Sequence, residues 1–576
     1  MSLLPFGSIP PYRARSFVPI DFDPSQIEVL EGLFDQLEAR LSQCQTTNEL
    51  VAWLEALSEF SAVLEEDGSR RYIAMTCHTD DTGAEKAYLE FVEKIEPRLK
   101  PRQFRLAKLY LEHPLRSQLP TERYHVHDRD TAVRVELFRD ENVPLETEES
   151  RLGNEYQKLT GGLTVHYRGE EKTLPQMGRL QEEPDRAVRE EGWKLVATRR
   201  LQEVEHFGRL MDDLVRLRDQ IGRNAGFSQY RDYAFRSRGR FDYGPSDCER
   251  FHDAIEAEVM PLVRELQAVR RKQLKVDILR PWDLSVDPFN RPPLVPFRES
   301  SELETGTQTI FERLDPALAD GFRTLIHWRL LDLANRKGKA PGGYQSTLSE
   351  ARLPFIFMNA VGLQRDVETL LHEAGHAFHA LATREEPLLA YRSAPIEFCE
   401  VASMAMELLA APHLEVFYSP EDARRARRVH LEGIVGVFPW IATVDAFQHW
   451  LYLNPGHSHD ERRAAWVRLM DRFGGDVDWT GFEDARANLW HKQLHIFLYP
   501  FYYVEYGIAQ LGALQVWANS AQNQPKALAD YRAALALGGS RPLPELFQRA
   551  GCPFDFSRKT VRPLIERIRS ELDRNH

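Results

Sequence analysis

Residues 369–383 read TLLHEAGHAFHALAT and set His372, His376 and His379 among small and apolar side chains. A stretch of this composition packs as a buried helix, and a buried helix must find partners for its imidazoles. In an α-helix, residues four apart share a face about 6 Å apart along the axis, so His372 and His376 can reach one common atom. His376 and His379, three apart, can do the same, whereas His372 and His379 stand about 10.5 Å apart and cannot easily do so. Helix geometry therefore allows two pairs. Glu373 favours the first. In HEAGH the acid follows the first histidine and lies beside whatever the two rings hold, where its carboxylate can take a proton from a water. Only Ala377 and Phe378 separate the members of the second pair, and neither is a base.

Two histidines and a base point to a metal, and a catalytic zinc takes three protein ligands and leaves one position for water. The next strongly helical stretch, APIEFCEVASMAMELLA (394–410), carries Glu397, Glu400 and Glu407 on an otherwise apolar background. Glu400 and Glu407 are seven apart and share a stripe, while Glu397 lies one turn earlier. Carboxylates on an apolar helix are costly unless paired or bound to a metal. All three are candidate ligands on this reading, and incidental histidines on a core helix are the plain alternative.

Most of the remaining chain is helical in pattern, with apolar residues at three- and four-residue spacing in 48–66 and again in 185–222. The segment GGLTVHYRGEEKTLPQM (161–177) alternates around a glycine-bearing turn and predicts a hairpin. PFIFMNAVG (354–362) is too short to separate a strand from the end of a buried helix. The longest apolar stretch, 433–453, contains Pro439, Asp445, Gln448 and His449, which make it a buried helix and not a membrane span. YHVHDRD (124–130) would bring His125 and His127 to one face if it were a strand; with no further ligands nearby, a surface segment is the expectation. Five cysteines, odd in number and without a CxxC pair, argue against a disulfide framework or a thiolate zinc site and favour a reducing compartment. The opening residues lack the apolar run of a leader, so a cytoplasmic location is expected. A net charge of −13 argues against non-specific nucleic-acid binding.

HEAGHAFH followed by EFCEVASMAME resembles the thimet oligopeptidase and oligoendopeptidase F family of zinc metallopeptidases, which pair HExGHxxH with a later ExxSxxxE helix. RPWD (280–283), KAPGGYQS (339–346) and PFIFMN stand in the family's order, and the likeness runs over roughly residues 160–560, nearest the oligoendopeptidase F branch. The resemblance implies a mainly α fold, a large helical two-lobed body enclosing a deep substrate channel, with a small β-sheet beside the HExxH helix. Residues 1–200 would form an N-terminal helical region with the hairpin, and 201–576 the catalytic region, the lobes interleaving.

It further implies one Zn2+ per chain on His372, His376 and Glu400, with Glu373 as general base, Glu407 orienting a ligand histidine, and His379 not a ligand. Glu397 gains no role. In HIFLYPFYYVEYG (495–507), an aromatic core is the plain reading for Tyr499 and Tyr502. The resemblance instead makes His495, Tyr503 and Tyr506 stabilisers of an oxyanion, with Tyr502 either replacing Tyr503 or touching substrate. An extended peptide would pair with the edge of PFIFMN, bringing Phe357 and Asn359 to it, and Gly375 would make room for substrate or a neighbouring strand. The implied activity is zinc-dependent cleavage within short unfolded peptides. A carboxypeptidase or dipeptidyl carboxypeptidase of related fold, or a peptide-binding protein with a decayed site, are the alternatives. Short peptides are the expected partners, with neither nucleic acid nor membrane, and a monomer is expected.

Overall fold

The N-terminal helices form where apolar spacing predicts them. Thr46 and Glu49 make a reciprocal capping box at the head of the helix Thr47–Cys77, satisfying N–H groups that a first turn leaves unpaired. Its apolar face meets the helix Ile27–Gln43 around Leu30, Phe34, Trp53 and Phe60, and the Trp53 indole donates to the Leu37 carbonyl at 2.8 Å. The computed structural model describes residues 4–574, most of them helical.

The chain divides into two compact units, each assembled from three segments. The first comprises the chain up to Glu136, Leu294–Arg427 and Ala509–Phe554; the second comprises Leu137–Pro293, Arg428–Ile508 and the chain from Asp555. A single boundary near residue 200 is therefore not where the fold divides. Two of the breaks fall inside the long helices Pro420–Leu453 and Tyr503–Gln522, where no change of composition marks them.

The second unit carries the hairpin. Strands β1 (Thr164–Tyr167) and β2 (Glu170–Thr173) pair antiparallel through Arg168 and Gly169, both at positive φ (52° and 85°), as a two-residue turn of matching twist requires. The helix Pro420–Leu453 is long and apolar enough to cross a membrane by composition, yet Asp445 and Gln448 within it are fully buried in protein. The HxH segment is helical, not extended, so His125 and His127 point to different sides. His127 packs edge-on against Tyr110 and Tyr391.

In the first unit, β3 (Leu331–Ala334), β4 (Tyr344–Leu348) and β5 (Leu353–Ala360) form a sheet in the order β3-β5-β4. PFIFMN is thus a strand, but the central one. Ile356 pairs with Leu331 on one side and with Gln345 on the other, so most of the β5 backbone is consumed by its neighbours. The edge beside it belongs to β4. Phe357 is fully buried, its ring stacked on Tyr344 at 4.8 Å. Asn359 donates its amide to the carbonyls of Ala340 and Gly342 at 2.7 and 2.9 Å. Neither residue is presented at an open strand edge.

From β5 the chain turns at Gly362, whose φ of 90° suits glycine, into the helix Gln364–Ala382. Asp366 secures this start by accepting from the N–H groups of Val361 and Leu363 at 2.8 and 2.9 Å. This histidine helix packs on β5 and on the helix Ile396–Ala410, which carries the glutamates. Gly375 lies at that second contact. A Cβ there would sit 2.5 Å from the Ala402 carbonyl oxygen and 2.5 Å from Ser403 Cα, so the glycine serves a helix–helix approach and not a strand or a substrate. In an open helix, alanine would gain about 1 kcal/mol over glycine. Against a backbone carbonyl, which cannot swing aside, we predict that Gly375→Ala lowers stability by about 1–3 kcal/mol in chemical denaturation. Unchanged or increased stability would contradict this packing.

Candidate metal centre

His372 and His376 project from one face of the histidine helix with ring centroids 5.0 Å apart. Glu400 reaches them from the facing helix, its Oε2 lying 3.3 Å from His372 Nε2 and 3.8 Å from His376 Nε2. One nitrogen from each ring and one Glu400 oxygen all lie within 4.8 Å of one another. Glu407, two turns along the same helix as Glu400, accepts from His372 Nδ1 at 2.6 Å. That bond places a ring proton on Nδ1 and aims Nε2 at Glu400. His379 stands outside the group: it is buried, with Nδ1 3.7 Å from Cys399 Sγ. Glu397 is buried one turn before Glu400.

The electrostatics of the cluster match its donors. Burial disfavours a charged His372, but hydrogen bonds to Glu400 and Glu407 outweigh it and hold the ring's pKa well above the usual imidazole range. Burial, then the charge of His372, push His376 down to about 4, which keeps that ring neutral. Burial also opposes ionisation of Glu400, yet the hydrogen bond from His372 and the nearby imidazoles hold it below the usual carboxylate range. Burial lifts Glu373 to about 7, against the pull of His372 and a backbone hydrogen bond from Gln345. Two imidazoles and an ionised carboxylate converge here, with a second carboxylate behind, and the carboxylates draw positive charge to this point. This donor set fits a divalent cation of the zinc kind.

In the second unit, His495 sits at the middle of an aromatic cluster, its ring centroid 5.7 Å from Tyr502, 4.8 Å from Tyr503 and 5.9 Å from Tyr506. Burial, and then the charge of Arg238, push His495 down to about 4. Gln493 Nε2 lies 2.8 Å from His495 Nδ1, and its Oε1 accepts from the Trp440 indole at 2.8 Å. With the Gln493 amide donating, the imidazole proton resides on Nε2. Before Tyr503, Phe501 adopts a φ of 63°, rare for a bulky residue. Its N–H donates to Gln448 Oε1 at 3.0 Å and its carbonyl accepts from Arg240, which together hold the turn. Tyr499, read from sequence as core, is about half exposed, and Tyr502 is only partly buried.

A model of the peptidase M3 N-terminal domain matches residues 17–138, and the model described as peptidase family M3 matches residues 179–564, well over half of the chain. The chain belongs to peptidase family M3. Oligopeptidase PepF of Bacillus subtilis (strain 168) is 24% identical to this M3 chain over 300 residues, covering 51% of it and 43% of the relative. An oligoendopeptidase F homolog of Borreliella burgdorferi is 23% identical over 305 residues, 50% of this chain and 49% of that one. The match thus spans about half or less of these relatives' own length. Among solved structures, PZ peptidase A with an inhibitor superimposes with a TM-score of 0.87 at 28% identity, over 97% of this chain and 99% of the other. Another, carrying an oligoendopeptidase F assignment, gives 0.86 at 28% identity with the same coverage.

Two contacts at the centre of this M3 chain escaped the sequence reading. Ser403, fully buried, donates its hydroxyl to Glu400 Oε2 at 3.0 Å and so steadies that carboxylate. Its position three residues after Glu400, on the same helix face, was the available signal. The Gln345 backbone contact to Glu373 had none, because it depends on how β4 pairs. The Glu407–His372 bond leads to a prediction: Glu407→Ala weakens metal binding about 10–100-fold in chelator competition, as loss of a carboxylate behind a ligand histidine does. Unaltered affinity would remove Glu407 from the centre.

Proposed function

We propose that this chain is a zinc-dependent endopeptidase that hydrolyses short, unfolded oligopeptides, with one zinc at His372, His376 and Glu400. The convergence of those three donors within 4.8 Å, with Glu373 adjacent on the same helix, carries the reading. When bound, zinc would polarise the scissile carbonyl and acidify a water. The family match and the likeness to PZ peptidase A and oligoendopeptidase F support peptide hydrolysis as the reaction.

Glu373 is the general base. Its carboxylate takes a proton from the attacking water and returns it to the leaving amine nitrogen. A carboxyl lifted by burial to about 7 suits both halves of that exchange. The substrate strand is proposed to add to β4 and not to β5, because β5 is already paired on both sides and β4 is the strand that reaches Glu373. Glu407 keeps His372 in the tautomer a ligand needs. For the second unit the support is the resemblance: it gives Tyr506, with His495 and Tyr503, the task of donating hydrogen bonds to the oxyanion, and Tyr502 a contact with substrate. The five free cysteines accord with a reducing, cytoplasmic setting.

An internally quenched short peptide blocked at both ends is expected to be cleaved. Cleavage confined to peptides with a free C-terminal carboxylate would replace the endopeptidase reading with a carboxypeptidase one. In the same assay, Glu373→Gln is expected to retain its metal while losing about 10²–10⁴-fold in kcat. Retention of near-wild-type turnover would take the proton transfer away from Glu373.

A further inference from the structure

The second unit holds another convergence of metal-binding side chains, on two helices that the peptidase reading does not use. Cys248 and His252 lie four residues apart on the helix Pro245–Ala254, and Asp445 and His449 lie four apart on the helix Pro420–Leu453. Each pair therefore faces one way from its own helix, and the two pairs meet. His252 Nε2 is 2.8 Å from Asp445 Oδ2, and His449 Nε2 is 3.3 Å from that same oxygen. Cys248 Sγ, an Asp445 oxygen and a His449 nitrogen all lie within 4.8 Å of one another. All four residues are buried, with Cys248 at 1% and Asp445 at 0% exposure.

Hydrogen bonding within the protein leaves this cluster unfinished. Asp445 Oδ1 and His449 Nδ1 have no hydrogen-bond partner although each is sealed from solvent, and His449 Nε2 has only its 3.3 Å contact with Asp445 Oδ2. The surroundings are aromatic: Phe235 and Phe501 pack edge-on against the His449 ring at 5.8 and 5.2 Å. An ionised carboxylate in such a place needs a compensating cation and a full set of contacts.

We propose that Cys248, His252, Asp445 and His449 form a second, structural zinc site. A thiolate, a carboxylate and two neutral imidazoles balance the charge of one divalent ion, so the buried cluster becomes neutral on binding. Binding expels the Cys248 thiol proton to solvent, and the ion takes up the lone pairs that otherwise lack partners. Sulfur with two imidazoles selects zinc over magnesium or calcium. Four protein ligands leave no position for water, so the ion clamps two helices together and performs no chemistry. The absence of a CxxC pair argued against any thiolate site, but His252 and Asp445 are 193 positions apart and only the fold unites them. The rival arrangement is an Asp445 carboxylate held by the two imidazoles alone, with no ion.

Titration of metal-free, full-length protein with cobalt(II) separates the two. The catalytic ligands His372, His376 and Glu400 include no sulfur, so a thiolate-to-cobalt charge-transfer band in the near ultraviolet reports the second site alone. Wild type is expected to take up two cobalt ions per chain and to show the band. His376→Ala is expected to keep one tightly bound ion together with the band, and Cys248→Ser to lose the band. Uptake of a single ion by wild type with no thiolate band would overturn the proposal, and that reading does not depend on whether any variant folds. A band surviving in folded Cys248→Ser would equally overturn it.

Discussion

The candidate centre depends on how closely two helices approach at Gly375. A side chain there would meet the Ala402 carbonyl oxygen at 2.5 Å, so the glycine sets the separation between the histidine helix and the glutamate helix. At that separation Glu400 comes within 3.3 and 3.8 Å of two imidazoles, and Glu407 reaches the far side of one of them. Helical periodicity does the rest. Four residues align His372 with His376, seven align Glu400 with Glu407, and three place Ser403 against Glu400.

The same approach concentrates charge. Glu373, Glu400 and Glu407 crowd into one buried region with two histidines, an arrangement that is unfavourable without positive charge among them. The environment separates their roles. Glu400 and Glu407 are bonded to an imidazole, and Glu400 is kept ionised by it; Glu373, with burial as its dominant influence, is left near neutrality. Carboxylates of one chemical type thereby become suited to holding a cation and to moving a proton.

What sequence alone disclosed follows the range of each interaction. Features set by local spacing were legible, including the HEAGH face, the stripe of Glu400 and Glu407, and the glycine-bearing hairpin turn at Arg168–Gly169. Features set by pairing between distant segments were not. PFIFMN was readable as apolar and aromatic, but whether it is a central or an edge strand depends on β3 and β4 lying on both its sides. His125 and His127 were weighed as strand neighbours and are helical. Gly375 was recognised as needing space, yet its neighbour is a helix 27 positions onward in sequence and no local pattern names it. That the units interleave was expected, but where the chain passes from one to the other was hidden, because two of the breaks lie within continuous helices.

The central claim is that this helix pair holds one metal ion through His372, His376 and Glu400. Anomalous diffraction from crystals of the zinc-loaded protein, recorded on both sides of the zinc absorption edge, tests it most directly. The account predicts a zinc peak about 2.0–2.2 Å from one nitrogen of each of His372 and His376 and from a Glu400 oxygen. A peak shared instead by His376 and His379, or no peak between the two helices, would contradict it.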